Sequence, residues 1–196
     1  IGIIPARMAS TRFPNKPLAT MLGMPMIGHC YNRTRLANGL SAAYVATCDH
    51  EIFDYIEGIG GNAVMTSNIH SRATTRTAEA LETIERMTGE NVDVVVMVQG
   101  DEPLITPEAI AETIRHFADP EVEIVNIMTK LRTFKAFVDK NNVKVVVDQN
   151  HNALYFSREP IPSPWNGWKH LPRYMQTGII AFRRDTLLRF NAMSET

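Results

Sequence analysis

The run Val94-Val95-Val96-Met97-Val98 is the feature of this 196-residue chain that most restricts its fold. Five apolar residues in a row cannot alternate between a core face and a solvent face, so the strand over Val92 to Val98 must be covered on both sides. Strands of that kind belong to parallel sheets flanked by helices, and the first half of the chain supplies the other parts. Ile1 to Ile4 reads as a buried strand, Ala42 to Thr47 as another and Ala63 to Met65 as a short one. Between them, Met26 to Leu36, Ile52 to Ile59 and Thr75 to Met87 have helical periodicity, the last with Ala78, Leu81 and Ile84 on one stripe. Thr106 and Pro107 suit the N-cap and first position of a further helix. This alternation predicts an α/β fold with a mostly parallel central sheet.

After about residue 120 the rhythm changes. Ile124 to Thr129, Val143 to Val147, Ala153 to Ser157 and Gly178 to Arg183 read as strands, with one short helix near Phe134 and a hairpin around Gln149-Asn150-His151. No linker-like stretch divides the chain, so residues 1–196 are expected to form a single domain, with residues 121–196 as a mixed, hairpin-containing second lobe. The chain lacks an initiator Met and stops just after a helical pattern, as expected of a protein truncated at its C-terminus. Its apolar runs fall far short of the roughly 20 residues that a membrane span needs, so no membrane insertion is expected. Two cysteines, Cys30 and Cys48, make neither a disulfide framework nor a zinc cluster and fit a reducing, cytoplasmic compartment. A net charge of -1 argues against binding nucleic acid through the overall field.

The charge is unevenly placed. The first 48 residues contain no Asp or Glu but carry Arg7, Arg12, Lys16, Arg33 and Arg35, whereas Asp49 to Pro103 hold eleven acids. Arg33 and Arg35 fit equally well a basic helix face. Arg7, Arg12 and Lys16 lie in a Pro-rich loop after the first strand, at the carboxyl edge where open α/β sheets bind ligands. Three cations there can neutralise a triphosphate, Arg by bidentate contacts and Lys as a point charge. The chain has neither a G-x-x-x-x-G-K-[ST] loop nor a G-x-G-x-x-G after the first strand, which sets aside P-loop NTPases and dinucleotide dehydrogenases. Behind the valine run stands Gln99-Gly100-Asp101-Glu102-Pro103. A carboxylate at the end of a central strand suits a hard ion such as Mg²⁺ that bridges phosphates, with Asp101 as the ligand and Glu102 paired locally. The same residues also read as a polar turn before a capped helix.

Several segments together resemble the cytidylyltransferases that activate sugar acids, most closely the 3-deoxy-manno-octulosonate (Kdo) cytidylyltransferases. They are Ile4-Pro5-Ala6-Arg7, Ser10-Thr11-Arg12, Pro14 and Lys16-Pro17-Leu18; Val45-Ala46-Thr47 with Asp49; Val98 to Pro103; Asn142 to Val146; and Ala153 to Arg158 with Pro160-Ile161-Pro162. The resemblance implies a GT-A-like nucleotidyltransferase fold, a homodimer, Mg²⁺ dependence, and CMP transfer from CTP to an acidic acceptor with release of pyrophosphate. Residues 1–120 become the nucleotide-binding half and 121–196 the acceptor-binding half. CTP would be bound by Pro5, Ala6, Arg7, Ser10, Thr11, Arg12, Lys16, Arg72, Ala73 and Thr74, with Arg7, Lys16 and Asp101 as the catalytic set. Asp101 would hold Mg²⁺, the second carboxylate being expected beyond residue 196. Gln99, Ser157, Arg158 and Gln176 would meet the small acidic acceptor.

Two departures from the family pattern bear on specificity. Where Kdo enzymes have a His-Gln-Ser-Gly-Thr-Glu-Arg run at the cytosine and ribose end, this chain reads His70-Ser71-Arg72-Ala73-Thr74-Thr75-Arg76. Where they have His-x-Gly-Ile-Tyr near the acceptor, it reads Gln176-Thr177-Gly178-Ile179-Ile180. Losing polar donors weakens discrimination for a polyhydroxylated sugar. The same chemistry on another acid, a nonulosonic acid or a phosphonate such as phosphonoformate, therefore stands beside the Kdo reading. A GT-A glycosyltransferase and a non-catalytic nucleotide-binding module are readings of other classes. Trp165 and Trp168 lie in a loop suited to cover the acceptor or to pack on the core.

Overall fold

In a computed structural model, residues 1–9 and 13–194 are described. Strand β1 (Gly2–Ala6) is buried at all five residues. A 3-10 turn over Lys16–Leu18 leads into a small hairpin of β2 (Thr20–Met21) and β3 (Met24–Pro25), then α1 (Met26–Arg35). There follow β4 (Ala43–Thr47), α2 (His50–Gly58), β5 (Ala63–Met65), α3 (Ala73–Thr88), β6 (Val94–Val98) and α4 (Pro107–Arg115). The remainder comprises β7 (Ile124–Lys130), the short α5 (Phe134–Val138), β8 (Lys144–Val147), β9 (Ala153–Ser157), the long β10 (Tyr174–Arg183) and α6 (Arg184–Ala192). Among the described residues, no helix is long and apolar enough to cross a membrane. The chain divides into two compact units, Ile1–Val125 with the segment from Gly178 onward, and Asn126–Thr177.

In the first unit the strands run in the order β5-β4-β1-β6-β10. The first four are mutually parallel, and β10 closes against β6 antiparallel, Ile179 opposite Val98 and Arg183 opposite Val94. The sheet is therefore mixed: parallel through its middle, as the valine run requires, with an antiparallel strand beside β6. Ile3, Val95 and Met97 pack into one cluster with Leu81 and Ile84 of α3 and Leu187 of α6. One residue out of phase, Ile4, Val45 and Val96 are equally buried and face the other helical layer, where Ile27, Ile52, Ile56 and Ile110 have no exposed surface. At α4 the anticipated cap is present, with Thr106 Oγ1 accepting from Ala109 N at 3.2 Å and Pro107 in the first turn.

The strand order places the site. From β1 the chain winds outward through β4 to β5, then returns by α3 to lay β6 on the other side of β1. Winding reverses between β1 and β6, and a crevice opens at the carboxyl ends of strands where that happens.

In the second unit β8 and β9 form the expected antiparallel hairpin, with a register irregularity at Val146/Val147. Its turn is closed by Asp148 N donating to Asn152 O at 2.9 Å and by Asp148 Oδ1 accepting from Asn150 N and Asn152 N, each at 2.8 Å. Strand β10 starts four residues before the expected Gly178, because Met175 and Tyr174 pair with Lys144 and Val145. Polar Gln176 and Thr177 followed by a glycine read as a break in sequence, yet the strand's hydrogen bonds are made by main-chain groups that the sequence does not display.

Candidate functional site

A cleft of about 720 Å³ lies at the carboxyl ends of β1 and β6. Pro5, Ala6, Arg7 and Lys16 approach it from the β1 side, and Gln99, Gly100 and Asp101 from the end of β6. The two strand ends come unusually close: a Cβ on Gly100 would stand 3.0 Å from the Pro5 carbonyl oxygen. Glycine allows that approach without strain, and it sets the anion-seeking loop after β1 directly against the carboxylate after β6.

Across the cleft Lys16 Nζ meets Asp101 Oδ2 at 2.7 Å. Their side chains are 36% and 51% exposed, so the pair is worth at most about 1 kcal/mol and either partner is free to take a stronger counter-ion. The neighbouring Glu102 carboxyl is pushed above the ordinary glutamate range by burial and by the Asp101 carboxylate, against the pull of Lys16. Adjacent carboxyls are thus differentiated, Asp101 paired to a cation in the open and Glu102 held toward its neutral form. Cys30 behind them has its thiol pushed up to about 12, chiefly by burial, and is inert.

The described residues contain no group of three or more His, Cys, Asp or Glu able to hold a metal by themselves. Magnesium does not require one. It is commonly held by one or two carboxylates together with substrate phosphates and water. Asp101, exposed into a cleft lined by cations, fits that donor set.

The third wall is the loop from β5 into α3. His70, Ser71, Arg72 and Ala73 line the cleft, and Arg7 Nη1 donates to the His70 carbonyl at 3.5 Å. Thr74 is not among the lining residues; its carbonyl accepts from Asn191 Nδ2 at 3.1 Å. Ser10, Thr11 and Arg12 lie outside the described residues. The cleft therefore gathers Pro5, Ala6, Arg7, Lys16, Arg72, Ala73, Gln99 and Asp101 from four separate stretches of sequence.

Gln99 N donates to Gly178 O at 2.9 Å, which ties the site strand to β10. Ile180, a departure from the family pattern, is partly buried and packs against the apolar cluster that contains Met97. Ser157, Arg158 and Gln176 belong to the second unit. There Ser157 Oγ accepts from Glu159 N at 3.0 Å and Gln176 Oε1 accepts from Asn126 Nδ2 at 3.4 Å. Arg158 does not pair with Glu159, which takes Lys140 at 3.0 Å; its guanidinium donates to the Lys140 carbonyl at 2.8 Å. The fully buried Lys144 ammonium donates to the carbonyls of Asp139, Asn142 and Arg158, fixing the backbone on which Arg158 stands.

Two contributors stand in segments compared with the family pattern but take no role from sequence alone. Asp49 Oδ2 accepts from Met8 N at 2.8 Å and so anchors the loop bearing Arg7 from 41 residues away. Arg76 is 3% exposed and lines the cleft, donating to Thr66 Oγ1, to Ser67 O at 3.2 Å and to Cys48 Sγ at 3.5 Å. Arg76 ends the His70 to Arg76 segment at the position where the family run also ends in Arg, and that match is the available hint.

Comparison with known proteins identifies the family. A family model described as Cytidylyltransferase matches residues 1–196. The 3-deoxy-manno-octulosonate cytidylyltransferase of Geotalea uraniireducens is 42% identical over 206 residues, covering 100% of this chain and 80% of that protein. The protein of the same name from Trichlorobacter lovleyi is 40% identical, again with 100% and 80% covered. A solved structure of CMP:2-keto-3-deoxy-manno-octonic acid synthetase complexed with CTP superposes with a TM-score of 0.88 at 34% identity, over 100% of this chain and 78% of that one.

Proposed function

This chain belongs to the cytidylyltransferase family, and from that premise we propose that it transfers CMP from CTP to the hydroxyl of 3-deoxy-manno-octulosonate, with release of pyrophosphate. The observation that carries the reading is the Lys16–Asp101 contact, 2.7 Å across a cleft at the switch point of the sheet. A cation for phosphate and a carboxylate for a divalent ion are there held within one triphosphate's reach.

Arg7 and Lys16 bind the β- and γ-phosphates and stabilise the charge that grows on the departing pyrophosphate. Pro5 and Ala6, with the wall of Arg72 and Ala73, take the nucleoside end, and Ser10, Thr11 and Arg12 also bind the nucleotide. Asp101 holds Mg²⁺, which when bound supplies charge neutralisation across the phosphates. Gln99, Ser157 and Gln176 bind the acceptor, and Arg158 turns from the Lys140 carbonyl to grip its carboxylate through two parallel bonds. The acceptor hydroxyl then attacks the α-phosphorus in line with the leaving group. The protein's part is positioning and electrostatics, with little covalent work. We assign the chain a GT-A-like fold acting as one domain, a homodimeric state, and a place in the cytoplasm, where CTP is available.

The deciding experiment follows pyrophosphate release with Mg²⁺ and CTP against Kdo, an 8-amino analogue, a nonulosonic acid and phosphonoformate, with UTP and GTP as controls. Turnover with CTP and Kdo is expected. Gln176, standing where Kdo enzymes carry His, favours the second reading, and turnover only with another acid would make it the specificity position. No release with any acid would refute the assignment.

A further inference from the structure

The cleft wall at His70–Ala73 is reached through a loop with almost no apolar anchorage. Between β5 and α3 the apolar Ile69 is 80% exposed, and Asn68, Ser71 and Arg72 are exposed as well. Such a segment holds its shape only through polar bonds, and two residues of α3, Arg76 and Glu79, supply them. Arg76 takes Thr66 Oγ1 and the Ser67 carbonyl at the start of the loop. Glu79 receives Ser67 N on both carboxylate oxygens, at 3.0 and 3.1 Å, and its Oε2 also meets His70 Nε2. His70 in turn lines the cleft and offers its carbonyl to Arg7. Although burial opposes it, the bonds from His70 and Ser67 hold the Glu79 carboxyl below the ordinary range, which keeps both oxygens available as acceptors.

We propose that Glu79 is a positioning residue for the nucleotide: by clamping Ser67 N–H and the His70 imidazole it fixes the His70–Ala73 wall, and so sets the affinity for CTP rather than the rate of the chemical step. The inference rests on the reading of this cleft as the CTP site. A carboxylate can accept from two donors at once. Glutamine of the same shape turns one oxygen into an NH₂ that faces the donors it should receive, leaving a partly buried group unpaired. A loop released in this way samples positions in which the wall is absent, and the binding-competent fraction divides directly into the apparent affinity.

The test uses the full chain and compares wild type, Glu79→Gln, His70→Ala and the double variant, with Glu82→Gln on the exposed face of α3 as control. Thermal melts report folding, calorimetry gives the Kd for CTP, and pyrophosphate release gives kcat and both KM values. Glu79→Gln and His70→Ala should each raise the CTP Kd and KM about tenfold, with kcat within about twofold and the acid's KM unchanged. The double variant should be no worse than the worse single one, because both substitutions break one clamp. A folded Glu79→Gln with wild-type CTP affinity, a loss confined to kcat, or fully additive effects would overturn the inference. If Glu79→Gln does not fold, His70→Ala alone carries the same test, since it leaves α3 intact. Wild type that binds no CTP would overturn the functional reading itself, and this inference with it.

Discussion

Gly100→Ala probes the closest approach in the site. The added Cβ would lie 3.0 Å from the Pro5 carbonyl oxygen, 3.3 Å from Ile27 Cδ1 and 3.4 Å from Ala6 Cβ. The tip of Ile27 can turn aside. Pro5 gives less readily, because β4 ladders it at Ala46 and β6 holds the same strand at Gly2 and Ile3. The end of β6 must therefore move outward by a few tenths of an ångström, taking Asp101 away from the loop that carries Arg7. Overpacking of this kind costs about 1–3 kcal/mol. For a chain of this length each kcal/mol lowers Tm by roughly 2–4 °C. A misplacement of about 1 Å costs on the order of a hundredfold in rate, so a shift of less than half that predicts a loss of about tenfold or less in kcat. Thermal melts and pyrophosphate release with CTP and Kdo measure both effects. Melting within about 1 °C of wild type together with turnover within about twofold would show that the gap between the strand ends is slack, and the reasoning from Gly100 would fail.

Three further perturbations test other parts of the argument. Asp101→Asn should lower pyrophosphate release by about a hundredfold or more, and weaken its dependence on Mg²⁺ concentration. It should change stability by no more than about 1 kcal/mol, since the Lys16 pair is exposed, and wild-type rates at limiting Mg²⁺ would place the metal elsewhere. Arg158→Ala should raise the acid's KM about tenfold while leaving that of CTP nearly unchanged, and an equal effect on both would separate Arg158 from the acceptor. Glu85 receives Arg184 at 2.7 and 2.9 Å and also Val92 N at 3.1 Å, and the Arg184 bond is the leading cause that holds its carboxyl below the ordinary 4.5. A depressed carboxyl stabilises the fold above its unfolded pKa and loses that contribution as pH falls through the folded value. Glu85→Gln should thus cost about 2 kcal/mol at pH 7, with the gap between the two melting curves narrowing below about pH 4.5; a gap independent of pH would refute the pairing.

The element pattern was legible because its causes are local. The valine run, the Thr106–Pro107 cap and the turn at Gln149-Asn150-His151 each state their conformation within a few residues, and the structure has all three. Strand β10 was legible only from Gly178, because the pairing of Tyr174 and Met175 with Val145 and Lys144 depends on partners about 30 residues away. Ile180 shows the same dependence on partners: the sequence shows only a lost phenol hydroxyl, whereas the pairing of the strand with β6 sets it, partly buried, against the apolar cluster that contains Met97.

By itself, the sequence determined which residue types this protein has for its chemistry: cations in an acid-free first segment, Asp101 at the end of a strand that must be central, and enough ordered motifs to name a family. Tertiary structure alone decided how they meet. Lys16 and Asp101 are 85 residues apart and touch at 2.7 Å; Asp49 holds Met8 across 41 residues, and Glu79 braces His70 from the next helix. Periodicity reports whether a residue faces the core or the solvent, which is a property of its own element. Which partner lies opposite depends on strand order and on the reversal of winding between β1 and β6, and those are set only when all the elements pack together.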